Sequence, residues 1–256
     1  MIKVLPVINI KGGVAKTTTA FNLAMLFSQD RKTIVIDLDG QCDLTRRAKV
    51  KYKNDLVDED GVAVAKKTII DCLKNPKKIK SAIRKTRYGF DLISGDEGLY
   101  GFEKTAQEGN TALAEVIKTL EGLGYEICVL DFSPSYSKFT IEALTSATFV
   151  IVPGEASDKS FKGFKRILNM AIEIMKNTKR QFLVGFLPVK ISGKSDLETL
   201  EEFRSSPLGG LVLPLVIRDD KTNIRQSEKG RPLIKRSCKA SDDYRELYSY
   251  LKKRGI

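Results

Sequence analysis

An α/β fold, a mostly parallel twisted sheet flanked by helices, is what this sequence predicts, and three observations predict it. Short apolar runs alternate with helix-like stretches along the whole chain. The runs are continuously apolar rather than alternating, as strands buried on both faces require. A glycine-bearing turn, Lys11-Gly12-Gly13-Val14-Ala15-Lys16-Thr17-Thr18-Thr19, joins the first run to the first helix.

In chain order, Val4-Leu5-Pro6-Val7-Ile8-Asn9-Ile10 reads as the opening strand and residues 17–27 as a helix. Further strands follow at Thr33-Ile34-Val35-Ile36-Asp37, Phe90-Asp91-Leu92-Ile93-Ser94 and Glu126-Ile127-Cys128-Val129-Leu130-Asp131. Two more lie at Phe149-Val150-Ile151-Val152-Pro153 and Phe182-Leu183-Val184-Gly185-Phe186-Leu187-Pro188. Between and after them, Phe161, Phe164, Leu168, Ile172 and Met175 fall at helical spacing, as do Tyr244, Leu247, Tyr248 and Leu251. Both stripes are expected to be core faces. Residues 46–67 mix blocks of both charges without periodicity and read as a mobile loop or a short helical excursion. Nothing repeats and no linker splits the chain, so residues 1–256 are read as one domain.

Composition narrows the function classes. No stretch of about 18 uncharged apolar residues exists, which predicts no transmembrane helix. The first strand begins almost at once, so neither a signal peptide nor an N-terminal helix-turn-helix is expected. Cys42, Cys72, Cys128 and Cys238 are scattered and histidine is absent, which argues against zinc and iron–sulfur sites and for reduced, cytoplasmic thiols. Net charge is +12. From residue 151 onward, 22 lysines and arginines face 13 aspartates and glutamates, against 22 and 19 before it. Basicity loaded onto the C-terminal part is the footprint of a face that meets a polyanion, although a solvated lysine-rich surface would look similar.

A glycine-rich turn between strand and helix aims several backbone N–H groups at one spot, and the positive helix end favours an anion there. Lys16 followed by the Thr17 hydroxyl suits the phosphates of a nucleotide with its magnesium. The ordinary Gly-x4-Gly-Lys-Ser/Thr pattern fails at both glycines, where Ile10 and Ala15 stand. A left-handed backbone at Ala15 would cost roughly 1–2 kcal/mol, and a negative φ almost nothing.

Two aspartate segments follow strands, where open α/β sheets bind ligands. In Asp37-Leu38-Asp39-Gly40-Gln41-Cys42-Asp43 two carboxylates leave one strand toward the same mouth. One can hold magnesium's water shell while the other orients an attacking water. In Asp131-Phe132-Ser133-Pro134-Ser135 a single carboxylate suits a water-mediated magnesium contact.

Lysine, two glycines, then lysine and paired threonines resembles the deviant Walker A box of the ParA/MinD family, Lys-Gly-Gly-x-Gly-Lys-Thr-Thr, with Ala15 for its glycine. The first aspartate segment is similar to the family's Asp-x-Asp-Pro-Gln-Gly-Asn box, with Gly40, Cys42 and Asp43 in place of Pro, Gly and Asn. The second is similar to its Walker B motif, Asp-x-Pro-Pro-Ser, with Ser133 for the first proline. Val152-Pro153-Gly154-Glu155, Ile217-Arg218-Asp219-Asp220-Lys221 and Gly230-Arg231-Pro232-Leu233 look like its later segments. The likeness covers residues 1–45, 125–165 and about 212–236.

The resemblance implies a P-loop NTPase of the deviant Walker A class that binds ATP and Mg2+. It places Lys11, Gly12, Gly13, Val14, Ala15, Lys16, Thr17 and Thr18 around the nucleotide. It places Thr17, Asp37 and Asp131 at magnesium, and Lys11, Lys16 and Asp39 in catalysis. Lys11 would reach the nucleotide of a second subunit, and Asp39 would activate the water. It further implies a homodimer closed by ATP, nonspecific DNA binding, a centromere-binding ParB-like adaptor that stimulates slow hydrolysis, and a nucleoid-associated cytoplasmic location. Residues 217–239 carry eight lysines and arginines against three carboxylates with few aromatics, the chemistry of phosphate contact without base readout. Arg218, Lys221, Arg225, Lys229, Arg231, Lys235 and Arg236 are the candidate DNA contacts. A MinD-like membrane ATPase would need the amphipathic segment 244–256 to lie on a bilayer, but its apolar stripe is small and tyrosine-rich, so membrane is disfavoured. A DNA-binding module that holds nucleotide with little turnover is the other alternative.

Overall fold

The computed structural model describes residues 1–49, 67–105, 111–134, 138–229 and 231–256. Most of the charged stretch after Arg46, as well as Ser135 and Gly230, lies outside the described residues. Eight strands form one sheet among the described residues: β1 (Lys3–Val7), β2 (Thr33–Leu38), β3 (Ile83–Lys85), β4 (Asp91–Ile93), β5 (Ile127–Phe132), β6 (Phe149–Gly154), β7 (Leu183–Ile191) and β8 (Ile217–Arg218). Their order across the sheet is β3-β4-β2-β5-β1-β6-β7-β8. Every pairing is parallel except β3 with β4. All six apolar runs proposed from the sequence become strands, because each is buried on both faces. β2, β5 and β6 are buried at every position.

The helices are α1 (Lys16–Phe27), α2 (Asp43–Ala48), α3 (Ile69–Lys74), α4 (Ile79–Ala82), α5 (Leu99–Thr105), α6 (Ala112–Gly122), α7 (Lys138–Ser146), α8 (Asp158–Thr178), α9 (Lys194–Arg204), α10 (Lys221–Glu228) and α11 (Lys239–Lys253). Strand pleating sends alternate residues to opposite sides. Leu5, Val7, Val35, Val129 and Ile151 pack with Phe21 of α1 and with Tyr244, Leu247 and Leu251 of α11. Val4, Ile34, Ile36, Leu130 and Val152 pack with α6, α7 and α8 on the other side. Each such side chain contributes on the order of 1.5–3 kcal/mol by leaving water. Helix α1 lies between the sheet and α11, so every residue of it but Thr17 is buried. It therefore lacks a polar face, as a helix covered all round does.

Two expectations shift, and two strands were not anticipated. The opening run extends to Ile10, yet β1 ends at Val7, because residues 8–15 turn away to build the site. On α8, Ile172 is 38% exposed and Met175 only partly buried, and the buried stripe continues through Ile167, Ala171 and Ile174 instead. At 3.6 residues per turn, strict i+4 steps from Leu168 drift off the core face. The edge strands β3 and β8 are too short and too charged to register as apolar runs.

Candidate active site

The ends of β1, β2 and β5 converge on one mouth. β5 sits between β1 and β2, in a register that pairs Asp131 with Val7 on one side and with Asp37 on the other. The turn after β1 delivers Lys16 as the first residue of α1, and no side chain caps that helix end. Gly13 has φ 72° and Ala15 φ 60°, both left-handed. Ala15 thus takes the costly option, holding a backbone that glycine adopts freely. Cys42, which opens α2 at φ 54°, does the same where the family box has its own glycine.

These turns line a cleft of about 580 Å³. Gly12 to Thr18 form its floor, Asp39, Gln41, Asp43 and Arg47 one wall, and Pro134 and Lys190 part of the rim. Lys221, Ile224 and Arg225 close the far side. The Lys16 ammonium donates to the Lys11 carbonyl at 3.2 Å. Burial holds its pKa below the usual lysine range, against the opposing pull of Asp131 and Asp39.

The three carboxylates differ in what holds them. Asp37 is fully buried and satisfied: Oδ2 accepts from the Thr45 hydroxyl at 2.6 Å and the Thr45 N–H at 2.9 Å, and Oδ1 from the Asp39 N–H at 3.2 Å. Burial nevertheless raises its pKa to about 6, outweighing those bonds. Asp131 is equally buried, and neither carboxylate oxygen has a hydrogen-bond partner of good geometry, although the Thr17 hydroxyl lies near enough to favour its charged form. Burial first, and then the charge of Asp37, hold its pKa well above the carboxylate range. Asp39 faces the cleft; its Oδ1 accepts from the Gln41 N–H at 2.9 Å and the Tyr100 hydroxyl at 3.2 Å.

An unpaired buried carboxylate is costly unless a cation or its water shell comes to it. Asp131 is therefore the carboxylate suited to hydrated magnesium, with the Thr17 hydroxyl beside it. Asp37 is placed at the same mouth, but its oxygens are engaged in anchoring the α2 turn. No group of three His, Cys, Asp or Glu residues clusters for a metal among the described residues, so phosphate and water oxygens would complete such a shell.

Lys11 does not point into the cleft's floor. Its ammonium pairs with Glu155, at the end of β6, and Lys190 pairs with the same carboxylate at 3.2 Å. Burial pushes Glu155 up, but the two lysines outweigh it and hold its pKa below the usual range. Lys190 reaches that position from a left-handed residue, φ 58°, at an irregularity in the β7–β8 pairing.

The basic cluster divides. Arg218 forks onto Asp243, with Nη2 to Oδ1 at 2.6 Å and Nε to Oδ1 at 3.0 Å, tying β8 to α11. Lys221 and Arg225 line the phosphate cleft. Arg231, Lys235 and Arg236 line a second cavity, and Lys229 is exposed.

Sequence reasoning passed over Tyr100, Arg47 and Lys190, and gave Glu155 no role of its own within its segment. Arg47 is buried, donates to the Thr18 hydroxyl at 3.0 Å and lies 5.9 Å from the Phe21 ring centre. Its only trace in the sequence is an arginine at an otherwise apolar stripe of α2, beside Leu44 and Ala48.

With this geometry in hand, the chain can be set beside known proteins. It is 29% identical over 245 residues to an uncharacterised protein of Methanocaldococcus jannaschii, covering 91% of this chain and 90% of that one. It is 28% identical over 189 residues to the chromosome-partitioning ATPase Soj of Thermus thermophilus, covering 73% and 69%. Apo McdA from Cyanothece superposes with a TM-score of 0.83 at 21% identity, over 98% of this chain and 99% of that one. Cobyrinic acid a,c-diamide synthase from Mycobacterium smegmatis, with bound ADP and magnesium, superposes at 0.79 with 26% identity, over 99% and 95%. The AAA domain family profile (AAA_31) matches residues 2–184, and with it the chain belongs to that family, as a ParA/Soj-type partition ATPase.

Proposed function

We propose that this chain binds ATP with Mg2+, closes into a homodimer on it, holds DNA nonspecifically through its C-terminal basic surface, and releases it on hydrolysis. The observation that carries this reading is the buried, unpartnered Asp131 beside Thr17 at the mouth of a lysine-bearing anion turn. The backbone N–H groups from Gly12 to Thr18 and the Lys16 ammonium cradle the phosphates. Thr17 and Asp131 would hold magnesium, which supplies charge neutralisation on the phosphates. Asp39, fixed by Gln41 and Tyr100 and with no hydrogen bond to its Oδ2 among the described residues, orients the attacking water and takes its proton. Lys11 reaches the partner subunit's phosphates once it leaves Glu155. A ParB-like adaptor speeds turnover, and a plasmid or similar element is the cargo.

The membrane alternative finds less support. Tyr244, Leu247 and Leu251 of α11 are buried against the core, so the stripe that would meet a bilayer is already covered. No helix among the described residues is long and apolar enough to cross a membrane.

A nucleotide-dependent DNA-binding assay on wild type, Lys16→Ala and Asp39→Ala tests the reading. Lys16→Ala is expected to lose DNA binding, and Asp39→Ala to stay on DNA with ATP while hydrolysis stops. Normal hydrolysis by Asp39→Ala removes it from catalysis. Absence of turnover in wild type, even with DNA and adaptor present, favours a binding module.

A further inference from the structure

Residues 95–100, from the end of β4 into the first turn of α5, lie outside every segment that resembles the family's motifs. They nevertheless close on the loop after β2 that carries Asp37, Asp39 and Thr45. The Gly95 N–H donates to the Thr45 hydroxyl at 2.9 Å, and that hydroxyl in turn donates to Asp37. The approach is tight, since a Cβ on Gly95 would stand 3.0 Å from both the Asp37 carboxyl carbon and the Cys42 sulfur. Glu97 pairs with Arg46 at 3.8 Å, and Arg46 also donates to the Gln41 carbonyl. Last comes Tyr100, whose hydroxyl donates to Asp39 Oδ1 at 3.2 Å.

Of these contacts, the one from Tyr100 touches the chemistry. Asp39 Oδ1 takes two donors, this phenol and the Gln41 N–H, which leaves Oδ2 as the oxygen that can meet a water. A carboxylate held through one oxygen presents the other in a fixed direction, and hydrogen bonds to a charged group are the strong ones. Partial burial, together with the Asp39 charge, outweighs the nearby Gln41 side chain and holds the phenol's pKa above its usual range. The hydroxyl therefore stays a donor at neutral pH.

The ring matters as well as the hydroxyl. It lies over Gly40, where a Cβ would sit against ring carbon Cε2 and 2.7 Å from Cδ2. The family box has proline at this position, and a side chain there cannot share that space with the ring. Tyr100 is 40% exposed, so a side chain at Gly40 would turn the ring toward solvent at little cost to the fold, and the hydroxyl would leave Asp39. Gly40 and Tyr100 thus act as a pair, the bare backbone of one making room for the other.

We infer that Tyr100 is a positioning residue for ATP hydrolysis, holding Asp39 from α5 so that Oδ2 is aimed at the attacking water, and that Gly40 is glycine to admit it. The inference rests on the proposed role of Asp39 and extends it to a segment that no motif covers. Tyr100 serves turnover and not nucleotide binding, because it is absent from the lining of the phosphate cleft.

Single-turnover hydrolysis and ATP titration of the full chain with Mg2+ test this. Tyr100→Phe keeps the ring and removes only the hydroxyl; it is expected to lose roughly tenfold in turnover, with ATP affinity within about twofold of wild type. Gly40→Ala should show the same split, and should add less than about twofold to the loss in Tyr100→Ala, where no ring remains to displace. On an Asp39→Ala background, Tyr100→Phe should change the residual turnover by less than about twofold, because the group it positions is gone. Turnover within about threefold of wild type in Tyr100→Phe or Gly40→Ala overturns the inference. So does a parallel loss of ATP affinity, which marks a merely structural role, or a loss of the same size without Asp39. If Asp39→Ala itself hydrolyses ATP as wild type does, or wild type shows no turnover, the proposed role of Asp39 falls, an outcome separate from failure of Tyr100 alone.

Discussion

The mouth formed by β1, β2 and β5 and the connection from α10 to α11 both concentrate charge, and they do so in opposite ways. At the mouth, Asp37, Asp131 and Lys16 are buried, and burial works against the charged form of each. In the connection, Lys229, Arg231 and Lys235 are exposed. A buried charge acts singly and strongly, because few groups and little water share its field. An exposed one acts weakly alone and matters by number. The mouth is accordingly a place for stereochemistry, and the connection a place for adhesion.

If that contrast holds, substitutions should separate by size. The largest effect belongs to Lys16→Ala, which should weaken ATP binding about 100-fold, near 2.7 kcal/mol, as loss of a charge-assisted contact does. A fluorescent-nucleotide titration reads it, and a loss under fivefold would break the contrast at its strongest point.

Next comes Asp131→Asn, with two opposed consequences. In chelator the metal-free protein should become more stable by about 1–3 kcal/mol, because an unpaired buried charge is gone. Magnesium should then no longer tighten nucleotide binding. A variant that melts lower in chelator means that Asp131 has a partner.

The pH dependence of metal-free wild type follows the same logic. The folded pKa of Asp37, about 6, lies above its ordinary 3.8, so the fold is penalised while the carboxylate is charged. As pH falls from 7 through 6 toward 4, the folded state takes up its proton first and stability rises. Below both values the gain is complete. Denaturant melts across that window check the sign, and the rise should be smaller in Asp39→Asn, which removes the charge that adds to burial in raising Asp37.

Smaller still is Ala15→Gly. Relief of the left-handed strain should outweigh the extra freedom of the unfolded chain, a net gain of about 0.5–1 kcal/mol in denaturant melts. A loss would mean that the Ala15 methyl packs usefully in the core beside it. The smallest effect belongs to Lys229→Ala, whose stability should stay within about 0.5 kcal/mol of wild type by thermal melt.

The same contrast explains what could be read from the sequence. The central strands and the turn from Gly12 to Thr18 were legible because their chemistry is local: continuous apolar residues make a buried strand, and adjacent amides make an anion site. Asp39 and Asp131 were legible because strand ends define the mouth. Tyr100 on Asp39 and Glu155 on Lys11 were not, since each contact joins residues more than 60 positions apart and leaves no spacing to detect. The Arg218–Asp243 pair was illegible for the same reason: a linear charge count cannot see a carboxylate on α11, 25 positions away. The left-handed Ala15 was legible only as a question, because φ is set by the turn and not by the residue.

The two edges of the sheet bear on assembly. β3 offers three residues, two of them Arg84 and Lys85, and β8 offers two, with the Arg218 side chain clasped to α11. Among the described residues neither is long or apolar enough to recruit another strand, so both edges are blunted against edge-to-edge growth. Any higher-order array of this protein would have to be stitched together through helices and loops, and it could come apart again without tearing open its sheet.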